Sequence, residues 1–467
     1  MFTKFIQLAE SKGIRLKAGC RTALRDFLGK ARGESLGVRL VRGGGGAFAV
    51  CIAGAGLLFG LHILLARVLG AEQYGIFAYV TSWLAFLVLP SKMGLDSAFV
   101  RFLPDYKANE DWGRFRGVIH DGFRFTIIFS LGVAGVLVAV TATFGTQLKP
   151  DLQLSFFIGA GVLPFMALFM VSWRGLQALQ HVVVGMSCSQ IIRPLIMAAL
   201  IGVTLLLLKD TPNAPLVMVV HLLAYLGAWL IALHLFFRTA NRDARFDKAI
   251  KEPRQLLGTA APLLAINVFF LLNAQAGAII TGVLGGTTEA GIFVSAMRIA
   301  QLLTFGLMGV NAMVAPMISQ LYATRRFTEL QRITVYAACG ISAFTIPIAF
   351  IMVVGGPWLL GLFGPKFSAG YPALIILATG QAVNALAGSV GFLMTMTGHQ
   401  NQAAVRMGCA AVINIVLCCI LVPRLGATGA AIGTATGTAG WNILLYFWVR
   451  KHMDIDPTVL GLRTIFR

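Results

Sequence analysis

The sequence predicts an all-α integral membrane protein of about twelve transmembrane helices, arranged as two six-helix lobes. Three observations carry that reading. Of 467 residues, 57% are apolar and only 12% are charged, about half the charge of an ordinary soluble domain. The apolar residues gather into stretches of roughly 20, the length that crosses a bilayer as a helix. A segment that follows the first of these stretches recurs, lightly altered, after the seventh.

Residues 1–46 form a basic tail that carries Lys4, Lys12, Arg15, Lys17, Arg21, Arg25, Lys30, Arg32, Arg39 and Arg42. It has no unbroken apolar core, so it does not read as a cleaved signal peptide. Phe2, Phe5, Ile6, Leu16, Leu24, Phe27 and Leu28 approximate a helical stripe set against the basic residues, which suits a helix lying on the inner leaflet. Gly13, Gly19, Gly29, Gly33 and Gly37 suit a disordered extension equally well. Gly43 to Gly46 predict a flexible hinge before the first span.

Spans follow within residues 47–66, 76–95, 122–145, 153–173, 182–208, 214–237, 256–281, 290–316, 333–354, 371–397, 402–422 and 426–449. They divide into an N-terminal lobe (47–255) and a C-terminal lobe (256–450), with 451–467 as a short C-terminal tail. Cytoplasmic loops accumulate Lys and Arg. With the N-terminus inside, the cytoplasmic segments hold 29 basic residues and the opposite loops five. Both ends are therefore expected in the cytoplasm. The net charge of +20 is spread along one membrane face, and no nucleic-acid module accompanies it. Anionic membrane lipid, not nucleic acid, is the expected partner of that charge.

The recurring segment is Val68-Leu69-Gly70-Ala71-Glu72-Gln73-Tyr74-Gly75-Ile76-Phe77. It returns as Val283-Leu284-Gly285-Gly286-Thr287-Thr288-Glu289-Ala290-Gly291-Ile292-Phe293. Six spans recur as six more, and an even number puts both copies in the same orientation. The lobes are then related by an axis along the membrane normal, with substrate between them near mid-depth.

Leu65-Ala66-Arg67-Val68-Leu69-Gly70 with Tyr74-Gly75-Ile76-Phe77, and then Gly94-Leu95-Asp96-Ser97-Ala98-Phe99-Val100-Arg101-Phe102, resemble the opening of a known family. It is the oligosaccharide flippases of the multidrug/oligosaccharidyl-lipid/polysaccharide exporter superfamily. Arg174-Gly175-Leu176-Gln177-Ala178-Leu179 and Pro423-Arg424-Leu425-Gly426-Ala427-Thr428-Gly429-Ala430-Ala431 resemble its later signatures. The likeness runs from about residue 47 to 450, and the basic tail lies outside it. The resemblance implies a V-shaped bundle in the bacterial inner membrane that moves a lipid-linked oligosaccharide by alternating access. O-antigen, capsule or exopolysaccharide synthesis is the implied setting, with a polysaccharide polymerase and glycosyltransferases as neighbours.

A GxxxxGK[ST] phosphate loop is absent, since Gly29-Lys30 is followed by Ala31, and HExxH is absent too. The seven cysteines show neither a CxxC pair nor a secreted-domain spacing, so no zinc cluster or disulfide framework is expected. The chain is expected to be neither an enzyme nor a holder of a cofactor or metal. His62, His221 and His234 stand apart from any carboxylate on the same helix face and read as packing residues.

The sign of the intramembrane charge is more informative. The acidic residues fall in loops or at helix ends, whereas Arg193 and Arg298 sit well inside their spans. At about 1.5 Å per residue both approach the bilayer centre. Each costs on the order of 2.5–3.5 kcal/mol there, which predicts a compensating role in a wet cavity. A diphosphate joining sugar to polyprenol supplies the anion, and a guanidinium grips it bidentately. Gln301 and Phe305 share the helix face of Arg298. Asn267 and Gln275 on the seventh span, and Gln381 and Asn384 on the tenth, are candidates for sugar contacts or for interhelical hydrogen bonds. Arg193 precedes Pro194, so it either lines the cavity or satisfies carbonyls freed at a kink. Asp96 and Arg101 cap the second span as an inner gate or a surface pair. Arg124 and Arg406 lie near a boundary and snorkel. Two other functions stay open: an ion-coupled small-molecule or multidrug antiporter, which needs a membrane carboxylate, and a non-transporting scaffold of a polysaccharide synthase, which tolerates loss of Arg298.

Overall fold

Runs this apolar can satisfy their backbone in a bilayer only within the segment, which selects helices. Every regular element among the described residues is helical. The computed structural model describes residues 36–207, 212–243, 249–250 and 253–461. The amphipathic tail expected over residues 1–35 lies outside them. The chain divides into two units between Ala47 and Phe48, and all that follows concerns the second unless stated.

The first half holds α1 (Leu36–Lys92), α2 (Leu95–Ala108), α3 (Trp112–Phe144), α4 (Pro150–Ala178), α5 (Val182–Leu207) and α6 (Ala214–Asp243). The second holds α7 (Pro253–Leu284), α8 (Thr287–Ala300), α9 (Thr304–Ala323), α10 (Phe327–Gly361), α11 (Tyr371–Leu386), α12 (Val390–Met396) and α13 (Gln400–Met453). Among the described residues, nine helices are long and apolar enough to cross a membrane. The 44 residues of Ala49–Lys92 and the 54 of Gln400–Met453 are each about twice what a crossing needs at roughly 1.5 Å per residue. Nine helices therefore carry more than nine crossings, in a multi-pass membrane protein.

Several boundaries differ from those expected. The first two spans are one helix, broken only at Gly70 (φ 71°, ψ 174°), and the last two are one helix broken at Gly426 (φ 54°, ψ −131°). A left-handed φ is open to glycine without a Cβ clash, so a single residue turns the chain where the sequence suggests a loop. Gly43 to Gly46 lie within α1, not in a hinge. The basic loop after the second span contains α2, which buries Leu95, Ala98, Phe99, Phe102 and Leu103. The span at 290–316 is interrupted by a 3-10 turn at Gln301–Leu303. In α5 a π-helical turn at Cys188–Ile192 absorbs the backbone disturbance ahead of Pro194, whose missing N–H cannot continue a regular ladder.

Within the first half, α4 packs on α2, α3 and α6; within the second, α13 packs on α7, α11 and α12. Tyr74, Phe99, Phe115, Phe236, Phe293 and Phe363 are among the largest fully buried side chains. Leu131, Val136, Phe350 and Trp358 are exposed, as lipid-solvated surface requires. One end of the bundle carries Lys92, Arg101 and Arg174 and is called the basic end; the opposite end, with Gly70, Lys149 and Lys366, is called the far end.

The two copies of the repeated segment meet at the far end. A Cβ on Gly75 would lie 1.9 Å from the Thr287 carbonyl oxygen, and one on Gly291 would lie 2.9 Å from the Gly75 Cα. Only two glycines allow this approach. Around it, Arg67 Nε donates to the Leu362 carbonyl (2.6 Å), and Phe59 packs edge-on against Phe363 (5.8 Å). Lys149 pairs with Glu72. Each copy also ties down the last helix of its own half. Gln73 Oε1 accepts from the Ala214 N–H (2.8 Å) at the start of α6, and Glu289 Oε2 accepts from the Ala427 N–H (2.7 Å) just past the α13 break. Both acceptors meet backbone donors that a helix start leaves unsatisfied.

A cation cluster beneath the repeated segment

Arg298 lies on α8, two helical turns beyond Gly291. It is half-buried; one guanidinium nitrogen donates to Gln301 Oε1 at 3.2 Å, and Nε is buried with no hydrogen-bond partner among the described residues. The 3-10 turn beginning at Gln301 is what holds that amide beside the guanidinium. Arg193 opens the regular part of α5 after its π turn. It donates to the Tyr225 hydroxyl at 3.3 Å and stands over the Tyr225 ring at 5.1 Å, a cation–π arrangement. It therefore points at a side chain and not at carbonyls freed by Pro194.

Two histidines and a second tyrosine complete the group. His62 Nδ1 is 3.2 Å from the Tyr74 hydroxyl. His221 is edge-on to Tyr225 (4.9 Å) and to Phe77 (5.5 Å), with Nδ1 3.4 Å from Met197 Sδ. Arg298, Arg193 and His221 all lie within Coulomb range of His62, Arg193 lies within range of Arg298, and Tyr74 lies within range of Arg298. Four helices thus converge from both halves: both arms of α1 through His62 and Tyr74, then α5, α6 and α8. Among the described residues neither arginine forms an ion pair. A buried guanidinium that lacks a carboxylate wants an anion. The group can bind phosphate oxygens through charge-assisted hydrogen bonds.

Other residues singled out in the sequence are placed as follows. Gln301 is the partner of Arg298, and Phe305 is half-buried one turn further on. Gln275 is half-buried on α7, whereas the side chain of Asn267 lies outside the described residues. Gln381 and Asn384 hydrogen-bond each other at 3.1 Å on α11, with Asn384 buried. The amide of α7 that the structure builds into a network is Asn273: Asn414 Nδ2 donates to its Oδ1 (2.9 Å) and carbonyl (3.1 Å), and Cys418 Sγ donates to Asn414 Oδ1.

At the basic end the structure does not join Asp96 to Arg101. Lys92 Nζ donates to Asp96 Oδ2 at 2.6 Å with both side chains buried, and Arg174 Nε stands 3.9 Å away. Asp96 Oδ1 has no partner among the described residues. Arg101 is exposed, over the Phe102 ring at 5.8 Å. Lys92 ends α1 and Asp96 lies in the first turn of α2, so the pair closes across the break at Met93 and Gly94 and no single-helix spacing marks it in the sequence. Arg124 is exposed, and Arg406 bonds Gln402 and overlies Trp448 at 5.6 Å.

His62, Tyr74, His221 and Tyr225 were not legible as site residues. Their signal is spatial, since each meets its polar or aromatic partner from another arm or another helix. Tyr74 alone had a sequence cue, its place inside the repeated segment.

The family of polysaccharide biosynthesis proteins matches residues 40–322, more than half of the chain, and the chain belongs to it. An uncharacterized membrane protein of Methanocaldococcus jannaschii is 22% identical over 427 residues, covering 84% of this chain and 80% of that protein. A multidrug resistance MATE family transporter of the MOP superfamily, solved facing inward, superposes with a TM-score of 0.68 at 14% identity, covering 85% of this chain and 94% of that one. A MOP superfamily transporter from Pyrococcus furiosus, for which a reversed polarity of the binding pocket suggests a different function, superposes at 0.62 and 14% identity, covering 89% and 95%. The fold is that of membrane transporters, and the family, that of polysaccharide biosynthesis proteins, agrees with the resemblance read from the sequence.

Proposed function

We propose that the chain is a flippase that translocates a polyprenyl-diphosphate-linked oligosaccharide across the bacterial inner membrane by alternating access, for O-antigen, capsule or exopolysaccharide synthesis. The observation that carries this reading is the pair Arg298 and Arg193, held by neutral amide and phenol groups and, among the described residues, paired with no carboxylate. A diphosphate brings the opposite charge and enough oxygens to engage both halves. Gln301, Gln275, Asn267, Gln381 and Asn384 are assigned to the sugar. In this reading the basic end faces the cytoplasm, both termini lie there, and anionic lipid meets its charge. Asp96, with Lys92 in place of Arg101, serves as the inner gate, and neighbouring polymerase and glycosyltransferase enzymes supply and consume the glycan.

A cationic drug would meet like charge at Arg298 and Arg193, which weighs against the multidrug alternative. The test is a deletion strain complemented with wild type, Arg298→Lys or Arg298→Ala, scored for surface polysaccharide and for lipid-linked sugar retained on the cytoplasmic side. The expected result is retention with Arg298→Ala and partial export with Arg298→Lys. Full export by Arg298→Ala would overturn the site, and normal glycan with altered drug tolerance in the deletion strain would overturn the function.

A further inference from the structure

Between the cation cluster and the far-end seal stands one side chain that touches both. Tyr74 is fully buried. Its hydroxyl is 3.2 Å from His62 Nδ1, and its ring packs edge-on against Phe367 at 5.6 Å, in the α10–α11 connection. Phe367 in turn lies against Phe363 (6.0 Å), the partner of Phe59. The next residue, Gly75, makes the backbone contact with Thr287 and Gly291. Across the seal, Gly291 and Arg298 are seven residues apart on α8, hence on nearly one face and about 10 Å apart along the axis. The guanidinium therefore lies below the seal on the same stiff helix that forms half of it.

We propose that Tyr74 is a positioning residue of the transport cycle: over an empty cluster it braces the Gly75–Gly291 contact, and when an anionic headgroup claims Arg298 the brace loosens and the far end opens. The inference rests on the reading of the cluster as an anion site. The Tyr74 hydroxyl bonds the His62 ring, and a hydrogen bond from either group to a phosphate oxygen held at Arg298 is stronger than the one between them. The ligand thus displaces the brace by competition and needs no separate trigger. The seal is poised for this because its centre is backbone against backbone, with no side chain to interlock.

The test uses full-length protein in proteoliposomes, with the seven native cysteines replaced by serine or alanine, Phe59→Cys and Phe363→Cys introduced together, and each single-cysteine chain as a control. Cross-linking of the pair reports closure of the far end, and farnesyl diphosphate is the probe, with farnesol as its uncharged control. The wild-type background is expected to cross-link well when empty and to lose yield with farnesyl diphosphate but not with farnesol. Tyr74→Phe keeps the ring and removes the hydroxyl. It should lower the empty-state yield by about threefold, the factor carried by one interhelical hydrogen bond in a membrane, and should abolish the response to the probe. A Tyr74→Phe chain that cross-links and responds like wild type overturns the proposal.

Equilibrium binding of radiolabelled farnesyl diphosphate separates the two levels of argument. Binding that survives Arg298→Ala overturns the anion-site reading. Binding lost in Arg298→Ala, with Tyr74→Phe still responding fully, overturns the role of Tyr74 alone. Gly291→Ala, which wedges the seal directly, must lower the cross-link yield even with Tyr74 in place; an unchanged yield overturns the assignment of the seal.

Discussion

In the first copy of the repeated segment, Gln73 accepts the backbone N–H that starts α6; in the second, Glu289, at the matching place, accepts the one past the α13 break. Gly75 and Gly291 likewise match, and they touch. One residue before the glycine the copies part: Tyr74 stands where Ala290 stands in the other. Seven residues after it they part again, with buried Ser82 bonding its own helix against Arg298 in the cluster. Further along, the buried Lys92 and Asp96 correspond to Met308 and Ala312. Positions that agree hold the backbone. Positions that differ carry charge and hydroxyl, and these are the residues assigned here to the ligand, the brace and the inner gate.

Exchanging residues between the copies tests that division. The largest effect is expected from Lys92→Met, which leaves buried Asp96 with only the longer contact to Arg174 Nε at 3.9 Å; breaking a buried pair costs about 3–5 kcal/mol, read as a lower unfolding midpoint in detergent. Adding Asp96→Ala, so that the first half takes both residues of the second, should restore most of that stability. If the single change is harmless, the basic-end pair is no structural counterpart of the apolar one. Next comes Arg298→Ser, the first copy's own residue. Losing a charged hydrogen bond of roughly 1.5–3 kcal/mol should cut transport by tens of fold while the midpoint holds, and a transport rate within twofold of wild type would erase the functional asymmetry.

Gly75→Ala and Gly291→Ala should each destabilise by about 1–3 kcal/mol, the range for overpacking, with Gly75→Ala the worse because its methyl meets a carbonyl oxygen at 1.9 Å. The smallest effect is expected from Glu289→Gln, which gives the second copy the first copy's cap. It should change stability by a few tenths of a kcal/mol, against about 1 kcal/mol for Glu289→Ala.

Much of this fold was legible because a bilayer imposes few solutions on a chain: apolar length gave the spans, and the motif after the first span pointed to its twin. The breaks at Gly70 and Gly426 were not, since a glycine turn one residue long leaves no polar stretch to mark it. Arg298, Arg193 and Gln301 were legible by sign and spacing. Asn273 does not stand out in the sequence as Asn267 and Gln275 do, because their spacing marks one helix face whereas its partner, Asn414, lies on another helix.

A contact between two copies of one segment has a property that ordinary contacts lack. Were the halves identical chains, any mutation at the touching glycine would strike both sides at once, doubling its steric penalty. Joined in tandem within a single polypeptide, each side can vary alone. That independence lets a serine stand in one copy where its counterpart is an arginine, so a two-fold scaffold can present a one-sided surface to an unsymmetrical ligand.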